Sequence, residues 1–95
     1  MTFLIHAFDH TDAEALNRRM GARDQHLAAA RSMHENGSLL IAGAMLSPDN
    51  TMMGSVVIVE MESLEEVENW LKSEVYITEN VWDKVGIYPL KLAFR

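Results

Sequence analysis

The 95 residues carry 14 acidic and 8 basic side chains, a formal net charge of -6. That balance disfavours nucleic acid and anionic membrane surfaces, because both are bound by clustered Lys and Arg. The length suits one domain and 48% of residues are apolar without a Pro, Ser, Gly or charge tract, which excludes a disordered linker; the absence of cysteine removes disulfides, thiolate metal sites and cysteine nucleophiles together.

Met1 to His6 has neither a basic n-region nor an apolar stretch long enough for a signal peptide. No run approaches the roughly 20 apolar residues of a membrane span, so a cytoplasmic protein with no membrane partner is expected. Residues 2 to 8 are β-branched and aromatic enough for a first strand, and Asp9, His10 and Thr11 supply turn chemistry after it. Thr11-Asp12-Ala13-Glu14 has capping-box spacing and predicts a helix start.

That helix carries Leu16, Met20, Leu27, Ala30 and Met33 near one face and stops at Asn36-Gly37. Gly21 weakens its middle, so two helices meeting near residues 21 to 23 are an alternative. Arg18, Arg19, Arg23 and Arg31 interleave with Asp12, Glu14 and Asp24, which reads as a solvated mixed-charge face.

Residues 38 to 45 predict a second strand, Ser47-Pro48-Asp49-Asn50 a turn, and Gly54 to Met61 a third strand paired to the second as a hairpin. Ser63-Leu64-Glu65-Glu66 repeats the capping-box spacing before a helix with the apolar stripe Leu64, Val67, Trp70 and Leu71. Residues 74 to 80 are irregular or one short turn. Val81 to Phe94 holds the last strand, with Gly86 and Pro89 marking a bend or an edge position.

The order βαββαβ is the split pattern of a ferredoxin-like α+β fold, one domain over 1–95 with an antiparallel sheet and two helices on one face. Phe3-Leu4-Ile5 and Val56-Val57-Ile58-Val59 are apolar at consecutive positions, so both faces of those strands require burial. Two helices cover only one, and a homodimer is the expected cover for the other.

His26 is the leading candidate for chemistry, because imidazole titrates near neutral pH and acts as acid or base without a cofactor. Arg23, one turn earlier, shares its face and suits an anionic group of a ligand. The plain alternative is a half-buried His and a surface Arg that only pack. His6 lies on one face of its strand with Leu4 and Phe8, as a pocket-lining residue or, in preference, a satisfied core or interface one, while His10 and His34 read as structural. No histidine pair has ligand spacing, and His-Glu-x-x-His, a phosphate-binding Gly loop and a nucleophile elbow are all missing from the sequence, so neither a metal nor another cofactor is expected.

Arg23-Asp24-Gln25-His26-Leu27, Gly37-Ser38-Leu39-Leu40-Ile41-Ala42-Gly43, Gly54-Ser55 and Ser63 to Glu66 resemble, in order and spacing, the segments of the YciI-like family in the dimeric α+β barrel group. The resemblance covers nearly the whole chain. It implies a catalytic centre that pairs the helix histidine, His26, with the carboxylate of an Asp-Pro-Tyr segment, here Glu74-Val75-Tyr76. Two departures stand out: Glu and Val replace Asp and Pro, and Ala44 replaces a usual Pro at the pocket rim. Tyr76 keeps the family's aromatic and is expected to wall the pocket beside its ligand, or else to pack at an interface.

Two functions follow. The first is a cofactor-independent enzyme or binding protein for a small organic acid or lactone-like compound, with His26 transferring protons in lyase, isomerase or dehalogenase chemistry and Glu74 positioning it. The second is a non-catalytic dimeric binding or accessory module, which expects no pocket at His26. A haem-binding or quinol-oxidising protein of the same barrel group ranks last.

Overall fold

A computed structural model describes residues 1–95. The chain runs β1 (Thr2–Asp9), α1 (Ala15–Glu35), β2 (Leu39–Leu46), β3 (Met52–Glu60), α2 (Leu64–Ser73), α3 (Val75–Thr78) and β4 (Trp82–Leu90). This is the ferredoxin-like α+β fold found in protomers of dimeric α+β barrels, with the short α3 filling the irregular stretch before the last strand. The four strands form one antiparallel sheet in the order β2-β3-β1-β4. β4 is an edge strand, which is where a ladder tolerates Pro89.

Side chains alternate across each strand, and the cross-strand register sorts them into two faces. Phe3 lies opposite Val59, Ile5 opposite Val57 and Ala7 opposite Ser55. These six are buried under the helices with Val67, Leu71, Val75, Tyr76, Val81 and Trp82. The opposite face carries Leu4, His6 and Phe8 against Ile58, Val56 and Gly54, continued by Ile41, Gly43 and Met45 on β2 and by Tyr88, Gly86 and Lys84 on β4. No element of the chain covers it, and Ile41, Phe8 and Tyr88 are exposed.

Helix α1 departs from its sequence pattern in three ways. It begins at Ala15, and Glu14 at its N-cap makes no side-chain cap bond. Asp12 captures that segment instead, accepting from the Glu14 amide at 3.2 Å and binding both Nη atoms of Arg18, so the Thr11 capping box does not form. The helix is also continuous through Gly21, where a side chain would meet open space. No packing conflict forces a break, and the hydrogen-bond ladder of the other residues carries the cost of one glycine.

The third departure is the buried face. Ala15, Arg19, Ala22 and His26 point into the protein, whereas Leu16, Met20 and Leu27 are exposed. The small Ala15 and Ala22 let the helix lie close to the sheet, and Arg19 is buried, not solvated as its charge pattern suggests, because it has a buried partner, described below. At the C-terminus of the helix Ser38 N–H donates to Met33 O and Gly37 N–H to His34 O, a Schellman closure that needs the positive φ of Gly37, 89°. Helix α2 forms the Ser63 half of its capping box: Ser63 accepts from the Glu66 amide at 3.1 Å, while the Glu66 carboxylate accepts at 3.0 Å from the amide of Glu62, one residue before the cap. No helix is long and apolar enough to cross a membrane.

Candidate active site

His26 projects from the buried face of α1 into the space between that helix and the sheet. Its Nδ1 lies 2.5 Å from Oε1 of Glu74, although 48 positions separate them in sequence. Both side chains are buried. Glu74 is also the N-cap of α3, where the same Oε1 accepts the Tyr76 amide at 3.3 Å. The carboxylate therefore occupies a defined helix-terminus position, and the extra methylene relative to Asp does not take it out of reach of the imidazole.

When the imidazole is neutral, a carboxylate at Nδ1 favours the tautomer with the proton on Nδ1 and the lone pair on Nε2. Tyr76 stacks on the His26 ring, with centroids 3.9 Å apart and planes 9° from parallel, and Trp82 meets both rings edge-on. The ring is thus held on one face and at one nitrogen. Nε2 makes no hydrogen bond within the protein and is not sealed, and His26 borders a cavity of about 180 Å³.

Arg23 and Tyr76 line the same cavity. Arg23 has no acidic partner in the structure, so its charge is available to whatever the cavity holds. Burial pushes the Tyr76 phenol above its ordinary range, with Arg19 and Arg23 acting weakly against it. It stays neutral, and its hydroxyl has no protein partner. Leu27, Ala30 and Val57 supply the apolar wall, and Ala42 to Ala44 form an exposed rim in which Ala44 takes the place of the bulkier proline.

The other histidines lie elsewhere. His6 is on the open sheet face against Phe8, so it does not line this cavity. His34 Nδ1 is engaged at 3.0 Å by the Leu39 carbonyl, and His10 lies 3.8 Å from Asp83. A larger groove of about 460 Å³ runs between α1 and β2, but Arg31 and His34 are its only charged or titratable groups. The oriented imidazole lies at the smaller cavity, not in this groove. No three His, Cys, Asp or Glu side chains converge as metal ligands.

Four residues of this site, Arg19, Asp9, Ser55 and Trp82, escaped the sequence pattern. Arg19 is 3% exposed; its Nη1 binds both Asp9 oxygens at 2.9 Å, its Nη2 donates to Ser55 Oγ at 3.0 Å, and its guanidinium lies 4.9 Å from the Tyr76 ring centre. Trp82 Nε1 also donates to Ser55, at 3.1 Å. One signal was readable: Ser55 shares strand parity with Val57 and Val59, and Asp9 with Phe3, Ile5 and Ala7, so both polar residues belong to inward positions that require partners.

A ferredoxin-like sheet with one uncovered face and a His–carboxylate pair beside a small cavity define a small α+β protein with the fold of dimeric-barrel protomers. The chain belongs to the YCII-related family, whose model matches residues 1–91. It is 35% identical to Protein YciI of Escherichia coli O6:H1 over 100 aligned positions, covering 99% of this chain and 100% of that one. An uncharacterized protein of Haemophilus influenzae is 29% identical over the same shares. Among solved structures, the 5-chloro-2-hydroxyhydroquinone dehydrochlorinase TftG of Burkholderia phenoliruptrix, in complex with 2,5-dihydroxybenzoquinone, superposes with a TM-score of 0.83 at 24% identity, covering 96% of this chain and 94% of that one. At that identity the likeness establishes the shared fold.

Proposed function

We propose that the protein is a small-molecule enzyme in which His26 transfers protons on a small organic acid or lactone-like substrate, positioned by Glu74 and without a cofactor. The observation that carries this reading is the setting of the imidazole: Nδ1 is taken by a buried carboxylate, Nε2 has no partner in the protein, and the residue borders a cavity. Nε2 removes a proton from an acidic C–H or O–H of the substrate. The Glu74 carboxylate and the stacked Tyr76 ring hold the imidazolium that results, and Arg23 attracts the negative charge that develops on the substrate. The electron pair left by the proton forms a new double bond. It expels a leaving group with its bonding pair in a lyase or dehalogenase reaction, or collects the proton at another atom in an isomerisation.

A cavity of about 180 Å³ is on the scale of a single small ring. TftG supports the same scale of ligand, since it is named for removing hydrogen chloride from a chlorinated hydroxyhydroquinone and holds a dihydroxybenzoquinone. The accessory-module reading expects no cavity beside His26, and the presence of one favours the enzyme. Turnover is tested on a panel of small cyclic acids and lactones that includes 5-chloro-2-hydroxyhydroquinone. Binding is measured with 2,5-dihydroxybenzoquinone. His26→Ala should keep the fold and abolish turnover, and full activity in that variant would exclude His26 as the proton carrier.

The partner we propose is a second copy of the chain, seated on the open sheet face. Leu4, Val56 and Ile58 are only half-buried there, flanked by exposed Ile41, Phe8 and Tyr88. A twofold pairing buries the same residues on both copies at once. Light scattering at micromolar concentration should give twice the 10.7 kDa of one chain, and a monomer mass rejects the pairing.

A further inference from the structure

The Ser55 hydroxyl receives two hydrogen bonds, from Arg19 Nη2 at 3.0 Å and from Trp82 Nε1 at 3.1 Å. Both donors are obligate, because a guanidinium and an indole N–H have no acceptor function. A hydroxyl oxygen has two lone pairs, and here both are filled. What remains to Ser55 is its O–H hydrogen, which makes no hydrogen bond to the protein. Ser55 is 3% exposed, so that hydrogen does not face open solvent; the residue lines the cavity that holds His26 and Arg23.

Resting on the reading that this cavity binds a small organic substrate, we propose that Ser55 is its specificity-determining hydrogen-bond donor, aimed at a carbonyl or enolate oxygen of the substrate. Arg19 and Trp82 are positioning residues that compel Ser55 to donate. Two incoming bonds polarise the hydroxyl and strengthen the bond it gives. A ligand that presents an O–H donor at that point meets an oxygen with no lone pair left to accept it, so the site selects the ketone or deprotonated form over the neutral alcohol. The substrate class narrows accordingly: an acidic proton within reach of His26 Nε2, and a carbonyl or oxyanion oxygen at Ser55.

The experiment has two arms. In the first, 2,5-dihydroxybenzoquinone is titrated into the wild type, Ser55→Ala, Ser55→Thr and Arg23→Gln, with folding checked by circular dichroism. Ser55→Ala should weaken binding on the order of tenfold, and Ser55→Thr, which restores the hydroxyl, should recover most of that loss. Equal binding by wild type and Ser55→Ala, with Arg23→Gln weakened, overturns the role of Ser55 and leaves the binding site standing. Absence of wild-type binding counts against the site reading itself. The second arm needs no ligand and decides the matter even where Ser55→Ala does not fold. Neutron diffraction of the exchanged protein should place the Ser55 deuteron toward the cavity, and a deuteron donated to a protein acceptor, such as the carbonyl of neighbouring Ala7 or Ala44, overturns the inference.

Discussion

Replacing Arg19 by Met removes a buried cation of similar length and leaves three consequences that can be sized. Asp9 is 7% exposed and its two oxygens share Arg19 Nη1 at 2.9 Å, so the variant holds a buried carboxylate without its counter-charge. Breaking such a pair from one side costs about 3 to 5 kcal/mol. Ser55 also loses one of its donors and Tyr76 its guanidinium neighbour, each a smaller effect that does not simply add. Against a total of about 5 to 15 kcal/mol for a domain, this is a large share. At about 4 to 8 °C per kcal/mol for a domain of this size, the melting temperature should fall by roughly 12 to 40 °C. Urea unfolding followed by circular dichroism, at one fixed protomer concentration, measures the free-energy loss. The double variant Asp9→Leu with Arg19→Met removes the charge from both sides and should recover much of the stability. A single-variant loss below about 1 kcal/mol, or a double variant no better than the single, refutes the claim that uncompensated charge dominates.

Three further outcomes follow from the same geometry. Val56→Glu with Ile58→Glu places charge on the open sheet face and should yield folded monomer by light scattering, whereas Val57→Glu with Val59→Glu buries two carboxylates under the helices and should prevent folding. Burial raises the Tyr76 phenol above its ordinary value, so the folded state keeps a proton that the unfolded chain loses. That contribution to stability is complete below about pH 10 and is lost as pH rises through the folded value; ultraviolet titration should show a phenol ionising above the ordinary tyrosine range, and Tyr76→Phe should remove it. Gly21→Ala, into open space, should raise stability by up to about 1 kcal/mol, while Gly54→Ala should lower it, because a Cβ there lies 2.4 Å from the Ala7 carbonyl oxygen.

The element order was readable because each strand and helix carries its own local signal: β-branched runs, the Ser63 cap and the Asn36-Gly37 stop. The pairing of His26 with Glu74 came through the family pattern, and no periodicity in the sequence predicts it. The buried face of α1 was not readable. Leu16, Met20 and Leu27 outweigh Ala15 and Ala22 in hydrophobicity, yet closeness to the sheet selects the small residues, and the long apolar ones remain outside. The burial of Arg19 was hidden for a related reason. Among four arginines on one helix, nothing local distinguishes the one whose partner, Asp9, sits on another element at the right depth. Long-range ion pairs leave their trace only in parity, as an acidic residue at an inward strand position.

The reaction proposed here depends on Glu74 setting the His26 tautomer so that Nε2 faces the cavity as a base. The most direct measurement is the imidazole nitrogen spectrum of the ¹⁵N-labelled protein with its imidazoles neutral at alkaline pH, recorded for the wild type and for Glu74→Gln. One His26 proton is expected, bonded to Nδ1 and shifted downfield by its short contact with the carboxylate, with Nε2 unprotonated, and that signature should vanish in Glu74→Gln. A wild-type His26 that carries its proton on Nε2 with Nδ1 bare, or a spectrum unchanged by Glu74→Gln, would contradict it.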